Sequence, residues 1–448
     1  MSYELIALCM FGAMVVLMLS GQRVFAVVGA IAAAAALIIA GWQGDSLQFA
    51  LETPFNAVFK LFNWHAMLTL PMFVYMGYIL SESGIAEELY RMMHVWFGRF
   101  AGGLAIGTIL LMVIISCING LSVAGIAIGS AIALPEMLRR GYDKVLITGV
   151  VQGGSSLGIL ISPSVVMVLY SVIARESVAD LWLAGVGPGL LMALIFMIYV
   201  YVRVKINPSL APRLSDEELA MPLGEKLKLL SAGIIPFLIF AIMLGAFVYG
   251  WTSLLQSSAL GASLATLACL IKGRLSWDLM TRTAKQTMAV TAMFMWVILG
   301  ALAFSSVFDG IGAVRAIENV FIHNWNLGPW QVIILMQLSF IIMGMFLDDT
   351  AMLVIVAPLY VPLVDRLDLG IDGQMIWFGV LYTITCQIAY ITPPFGYNLF
   401  LMRGLAPPEI TLIDIYKSIW PFVLMMILTI VILMVFPQIA MWLPNALN

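Results

Sequence analysis

The chain has 448 residues, of which 62% are apolar and only 10% are charged, and its formal net charge is −3. Soluble globular proteins carry about 25% charged residues, so this composition excludes a protein whose whole surface faces water. The apolar runs are long and continuous, without the alternation of period two that a transmembrane β-barrel needs. The sequence therefore predicts an all-α polytopic membrane protein.

Many stretches of the sequence contain no Asp, Glu, Lys or Arg and are long enough to cross a membrane as a helix, which takes about 20 residues. Because the longer stretches can hold two crossings, we predict roughly ten to twelve membrane segments. The stretches include residues 24–44, 61–81, 100–135, 145–174, 181–202, 229–271, 286–308, 373–402 and 418–448.

The orientation follows from the basic residues, which gather on the cytoplasmic side of membrane proteins. If the turn at Gln22 and Arg23 is cytoplasmic, 17 of the 21 Lys and Arg residues fall on that side. The opposite orientation places only the remaining four there. We therefore expect both chain ends on the outer face.

Residues 100–135 predict the first unusual element. Arg99 before this uncharged stretch and Arg139 after it are both expected in the cytoplasm, so the chain must return to the side from which it started. One straight helix of this length would span about 54 Å and would not return. A re-entrant hairpin with its tip at 119–122 fits better, since Asn and Gly interrupt helices. Two short membrane-spanning helices are the alternative.

The second half of the chain contains a similar series of features. Residues 329–364 form another apolar run, which is interrupted at 344–350. By the same count of basic residues, both ends of this run fall on the outer side. Each hairpin is followed by a run that is broken at a proline, Pro163 in the first half and Pro393 in the second. Inverted repeats with discontinuous helices are typical of secondary transporters.

These features divide the chain into five segments. Amphipathic stretches at 86–98, 275–287 and 311–323 predict interfacial helices, which could serve as arms around a moving domain. We expect N-terminal scaffold helices in 1–60, a first repeat of arm, hairpin and broken helix in 61–202, a cytoplasmic linker in 203–228, further scaffold helices in 229–287, and a second repeat with a terminal helix in 288–448.

The four helix breaks carry the candidate site residues. A proline removes a backbone donor, and the carbonyls that it frees at membrane depth must line a cavity or bind an ion. Hard cations prefer oxygen ligands, whereas anions prefer helix N-termini and hydroxyl donors. The candidate substrate ligands are Ser122, Ser162, Thr350, Thr392 and Asn398, and the candidate cation ligands are Asn119, Gly120, Ser122, Ser162, Asp348, Asp349, Thr350, Thr392 and Gly396.

Asp348 and Asp349 stand within an otherwise apolar stretch. A carboxylate at that depth costs about 2.5–3.5 kcal/mol on insertion scales, and such residues usually mark ion or proton pathways. Alternatively, one of them caps the helix that begins near Thr350. No nucleotide-binding or hydrolase motif occurs in the sequence, so we expect a transporter that is not an enzyme and does not hydrolyse ATP.

Several motifs, taken together, resemble the large membrane subunit of tripartite ATP-independent periplasmic (TRAP) transporters. The similarity extends from about residue 60 to 445 and includes both hairpins and both broken helices. The motifs are PEMLRRGYDK at 135–144, SSLGILISPS at 155–164, LAGVGPGLL at 183–191, GMFLDDTAMLVIVAPLYVPLV at 344–364 and ITPPFGYNLF at 391–400.

This resemblance implies an elevator-type carrier in the bacterial inner membrane that imports a small organic anion, a carboxylate or a sulfonate, with sodium ions. It also implies a periplasmic substrate-binding protein and a separate small membrane subunit as partners, in a lipid bilayer and without nucleic acid. One sodium site would lie between 119–122 and Ser162, a second between 348–350 and 392–396, with the substrate between them. A stand-alone anion/sodium symporter or sodium/proton antiporter is the alternative.

Overall fold

The computed structural model describes residues 24–43, 65–98, 100–119, 122–161, 163–212, 223–312, 327–345, 349–393 and 396–447, with single residues before 60. Within these ranges every regular element is helical, which confirms the all-α prediction. The first half contains α1 (Val24–Gln43), α2 (Thr69–Glu82), α3 (Ile85–Phe97), α4 (Gly103–Asn119), α5 (Ser122–Ile128), a π-helical turn (Gly129–Ala133), α6 (Leu134–Arg139), α7 (Lys144–Ser156), α8 (Val165–Ala174) and α9 (Val178–Ile206).

The second half has a comparable series of helices. It contains α10 (Leu223–Val248), α11 (Leu254–Ile271), α12 (Trp277–Gly310), α13 (Pro329–Gly344), α14 (Asp349–Asp365), α15 (Gln374–Ile391), α16 (Tyr397–Leu405), α17 (Leu412–Val435) and α18 (Gln438–Leu447).

Six of the described helices are long and apolar enough to cross a membrane: α1, α9, α11, α12, α15 and α17. Shorter apolar stretches lie in α2, α4, α10 and α13. The sequence predicted ten to twelve segments. The difference arises partly because α4 and α13, the first arms of the two hairpins, each end before they could complete a crossing.

The first re-entrant hairpin breaks where the sequence predicted. Helix α4 ends at Asn119, and α5 begins at Ser122. The second arm then contains the π-helical turn immediately before Pro135, where the N–H of Leu134 bonds to the carbonyl of Gly129. A proline ring crowds the carbonyl four residues earlier and leaves it without a donor, so a wider turn at this point relieves the clash.

The second hairpin and both discontinuous helices also follow the prediction. Helix α13 ends at Gly344 and α14 begins at Asp349. Helix α7 ends before a 3₁₀ turn at Leu157–Ile159, and the chain becomes helical again at α8. Helix α15 likewise ends at Ile391, and α16 begins at Tyr397.

The hairpins and broken helices pack together in a crossed arrangement. The first hairpin packs on α7, through α4 and α5, and the second packs on α15, through α13 and α14. Beyond each break the contacts change partner, because α8 packs on α14 and α16 packs on α5. Each broken helix therefore joins the hairpin of its own repeat to that of the other.

A second group of helices packs together and consists of α1, α10 and α11, from the predicted scaffold segments, with α2 and α12. Helix α12 packs against α1 and α2, and α11 packs against α2 and α10. The predicted interfacial helix at 86–98 is present as α3, which contacts both α10 of this group and α4 of the first hairpin. It thus connects this group of helices to the first hairpin.

The prediction of a separate interfacial helix at 275–287 is wrong. Helix α12 runs without a break from Trp277 to Gly310, and 34 residues span about 51 Å. That length exceeds the hydrocarbon core of about 30 Å, so the charged first turns extend beyond the core as part of the same helix. Most of 311–323 lies outside the described residues, as does 213–222 of the predicted linker.

Candidate functional site

Two predicted substrate ligands from different repeats contact each other. Ser122 is the first residue of α5, and Asn398 lies in the first turn of α16. The Nδ2 of Asn398 donates a hydrogen bond of 2.9 Å to the Oγ of Ser122, and both side chains are fully buried. The tip of the first hairpin therefore meets the break of the second discontinuous helix.

Two helices begin at this contact. Helices α5 and α16 pack on each other, and both begin at it. The first N–H groups of a helix have no partner within the helix, and the helix dipole gives this end a partial positive charge. Helices α8 and α14, which also begin at breaks, form a second packed pair. Such ends are suited to an anion without the need for a buried Lys or Arg.

The first break is held by side-chain and backbone hydrogen bonds. The Oγ of Ser164 donates to the carbonyl of Ile159 and accepts from the N–H of Met167 at 3.2 Å. The indole N–H of Trp182, on α9, donates to the carbonyl of Ser164 at 3.3 Å. These bonds fix the non-helical backbone between α7 and α8 in one conformation.

The second break closes around Gly396. The N–H of Gly396 donates to the carbonyl of Thr392 at 3.0 Å, and the hydroxyl of Thr392 donates to the carbonyl of Ile388 at 2.5 Å. A Cβ atom on Gly396 would lie 2.9 Å from the carbonyl oxygens of Thr392 and Tyr390. Only glycine fits at this position, so Gly396 shapes the break.

Each hairpin packs closely, through small residues, against the helix that precedes the break of its own repeat. A Cβ on Gly125, in α5, would lie 2.9 Å from the Cβ of Ser155, in α7. In the other repeat, a Cβ on Gly344 would lie 2.4 Å from the Cβ of Ala389, in α15. Neither hairpin has room to move independently of its broken helix at these positions.

The other predicted site residues are placed only in part. Asn119 is the last residue of α4, while Asp349 and Thr350 open α14. The side chains of these three residues, and all of Gly120, Ser162 and Asp348, lie outside the described part of the structure. The structure thus brings together Ser122 and Asn398, and it places Thr392 and Gly396 in the adjoining break.

Sequence reasoning missed Gln387. This residue lies in the last two turns of α15 and is fully buried, and neither its Oε1 nor its Nε2 has a partner within the described structure. The Oδ1 of Asn398 is likewise buried without a partner. The signal was present, since Gln387 is a strongly polar side chain within the uncharged run 373–402.

The comparison with protein families decides the identity. Residues 5–439 match the family described as the tripartite ATP-independent periplasmic transporter, DctM component. The chain belongs to this family. The resemblance inferred from the hairpin and break motifs is thereby confirmed, and this DctM-family permease is a multi-pass membrane transporter and not an enzyme.

Named relatives cover most of this permease. It is 29% identical to the C4-dicarboxylate TRAP transporter large permease protein DctM of Pseudomonas aeruginosa, over 90% of this chain and 92% of the relative. It is also 29% identical to the ectoine/5-hydroxyectoine TRAP transporter large permease protein UehC of Ruegeria pomeroyi, over 84% and 86%. The identity with the isethionate TRAP transporter permease protein DctMQ of Oleidesulfovibrio alaskensis is 24%, over 84% and 58%.

The fold has a counterpart among solved structures. The YdaH transporter of Alcanivorax borkumensis, described as having an unusual topology, superposes with a TM-score of 0.61 over 89% of each chain. Its sequence identity is only 16%, so the similarity concerns the fold alone.

Proposed function

We propose that this DctM-family permease imports a small organic anion, a carboxylate or a sulfonate, together with sodium across the bacterial inner membrane. The observation that carries the proposal is the contact between Ser122 and Asn398. It places two helix starts and two polar side chains at one fully buried point.

The chemistry of this point favours an anion. The basic side chain on α16, Arg403, donates to the carbonyl of Ile410 at 2.9 Å and is engaged in the turn after its own helix. A bound acid group would therefore rely on helix N-termini and hydroxyl or amide donors. The relatives are named for C4-dicarboxylates, ectoines and isethionate, which supports a small charged organic substrate.

Sodium is proposed as the coupling ion because the breaks offer oxygen atoms. The hydroxyls of Ser122 and Thr392 and the amide oxygen of Asn398 are of the type that hard cations bind. A membrane potential of 100 mV supplies about 2.3 kcal/mol for each net positive charge that enters. Import of more sodium ions than substrate charges would therefore drive accumulation.

An elevator mechanism fits the packing. Each hairpin is seated on the helix before its own break, and each half-helix beyond a break packs on the other hairpin. This body would move as a unit against the scaffold formed by α1, α2 and α10–α12. A small membrane subunit would complete the scaffold, and a periplasmic binding protein would deliver the substrate.

Uptake into proteoliposomes tests the proposal. The vesicles would contain the permease with its small subunit, and the binding protein loaded with a radiolabelled anion would be added outside. We expect accumulation with an inward sodium gradient, enhanced by an inside-negative potential, and none when potassium or choline replaces sodium. Equal uptake without sodium would contradict the proposal, and sodium-driven uptake without the binding protein would favour a stand-alone symporter.

A further inference from the structure

Two buried amides flank the second break and lack partners for three of their polar atoms. Gln387 precedes the break on α15, and Asn398 follows it on α16. Within the described structure, the Oε1 and Nε2 of Gln387 and the Oδ1 of Asn398 accept or donate no hydrogen bond, although neither side chain is exposed. Buried polar groups are almost always hydrogen-bonded, so these atoms need an explanation.

The position of Gln387 on its helix directs its side chain away from the second hairpin. Thr385 donates to Gln337 of α13 at 2.5 Å, and Ala389 lies against Gly344 of the same helix. Residues 385 and 389 thus mark the face of α15 that looks toward α13. Since each residue turns by about 100°, Gln387 points from the opposite face. On its other sides α15 packs against α9, α17 and α8, and it also contacts α7 and the Leu157–Ile159 turn of the first break.

The unpaired atoms define what would satisfy them. The Gln387 amide offers one donor and one acceptor whichever way it is turned, and Asn398 adds an acceptor. Helix starts at the breaks offer only N–H donors. An unsubstituted carboxylate or sulfonate has only acceptor oxygens, so it would leave the amide oxygens unpaired. A ligand that also carries a hydroxyl or ammonium group would pair with both kinds of atom.

We propose that Gln387, assisted by Asn398, hydrogen-bonds a donor group of the substrate, so that the permease selects organic anions bearing a hydroxyl or ammonium group close to the acid group. This inference rests on the proposed function of organic-anion transport. It names the substrate class as hydroxy or amino acids rather than plain acids. Sites that hydrogen-bond a substrate hydroxyl discriminate strongly against analogues that lack it.

Ligand-induced stabilisation of the purified permease tests this without the binding protein. The midpoint of thermal unfolding would be followed in sodium during titration with four matched pairs: malate and succinate, aspartate and succinate, lactate and propionate, isethionate and ethanesulfonate. Ligands that bind the native state raise the midpoint according to their affinity. In at least one pair we expect the member with the hydroxyl or ammonium group to bind at least about tenfold more tightly than its partner.

Two leucine variants assign the preference to Gln387. In Gln387→Leu the affinity ratio within that pair should fall close to one, while the sodium-dependent midpoint shift without substrate persists. Gln337→Leu is the control, because Gln337 is also a buried glutamine but lies on the other side of the α13–α15 contact, where its Oε1 accepts from Thr385. It should retain the wild-type ratio. Gln387→Met provides the same comparison if the leucine variant fails to fold.

Three outcomes would overturn the inference. Equal affinity for both members of every pair in the wild type would exclude a donor-selective site. An unchanged affinity ratio in Gln387→Leu would mean that the Gln387 amide does not contact the substrate and is hydrogen-bonded by ordered water alone. Loss of the sodium response in Gln387→Leu would assign the amide to the cation. By contrast, the absence of stabilisation by every anion tested would count against the proposed function itself.

Discussion

Asn398 and Ser122 are 276 positions apart in the chain, yet their side chains share a buried hydrogen bond of 2.9 Å. Ser122 opens the helix after the first hairpin tip, and Asn398 lies in the half-helix after the second break. The bond therefore ties the two inverted repeats together at the point where both have interrupted helices. A displacement of one repeat against the other would have to break it.

Replacement of Ser122 by alanine should destabilise the permease. The variant leaves the Nδ2 of Asn398 buried without its acceptor, and a buried donor that loses its partner costs about 1–3 kcal/mol. Thermal or chemical unfolding in detergent measures the change. Sodium-driven uptake by the variant should also fall, because Ser122 is a proposed ligand.

A double-mutant cycle with Asn398→Leu isolates the pair. If the hydrogen bond couples the residues, the double variant should be more stable than the sum of the two single losses predicts, by about 0.5–3 kcal/mol. Strictly additive losses would show that the two side chains stabilise the fold independently.

Replacement of Gly344 by alanine should separate the second hairpin from α15. The new Cβ would lie 2.4 Å from the Cβ of Ala389, and overpacking of this kind costs about 1–3 kcal/mol. We expect a lower unfolding midpoint and reduced uptake. The control is Gly245→Ala in α10, where nothing lies within 4 Å of the new Cβ. A Gly344→Ala variant with wild-type stability and transport would contradict the close packing.

Glu176 should make stability depend on pH. It lies between α8 and α9, outside the membrane-spanning segments, and burial, followed by the charges of Asp180 and Asp365, raises its pKa above the ordinary value. The folded state therefore binds the proton more tightly than the unfolded state. Its contribution to stability is fully present below the ordinary glutamate pKa of about 4.3 and is lost as the pH rises through the raised value.

Unfolding midpoints measured between mildly acidic and neutral pH check this expectation. The wild type should gain stability on acidification through the window just above the ordinary glutamate pKa. Glu176→Gln should remove that dependence and unfold at a higher temperature than the wild type at neutral pH. An identical pH profile for the two proteins would refute the role of Glu176.

Glu88 anchors α3 to the turn between α11 and α12. Its carboxylate pairs with Lys272 and, at 2.6 Å, with Arg274, which also donates to the carbonyl of Ser83 at 2.7 Å. Because the charges are partly exposed, Glu88→Gln should cost only about 1 kcal/mol or less, and the loss should shrink at high salt.

The control for this effect is Asp278→Asn. Asp278 pairs with Arg282 within α12, at a site where both side chains are more exposed, so its loss should have almost no effect. Equal changes in the unfolding midpoints of the two variants would show that the Glu88 pairs do not anchor α3.

The interruptions of the helices were predictable because their causes are local. Asn119 and Gly120 oppose helix continuation, and Pro163 and Pro393 remove backbone donors, so each break follows from a few neighbouring residues. Hydropathy and the distribution of Lys and Arg then distinguish hairpins from full crossings. In the structure, helices end and begin again on either side of these three points.

The contacts across the breaks were not predictable, because they depend on residues far apart in the chain. Nothing near Ser122 in the sequence indicates that Asn398 is its partner. The sequence also does not show that Gln387 lacks a partner, since nothing in it distinguishes Gln387 from Gln337, whose Oε1 accepts from Thr385. The extent of α12 was misjudged because charges at its start resemble an interfacial helix.

The most direct test of sodium binding at the breaks is the unfolding midpoint of the purified permease in sodium chloride and in potassium chloride of equal concentration. An ion that binds the native state at ten times its dissociation constant adds about 1.4 kcal/mol. We predict a sodium-specific rise that is lost in Ser122→Ala and retained in Gly245→Ala. Equal midpoints in the two salts for the wild type would contradict a coupling-sodium site at the helix breaks.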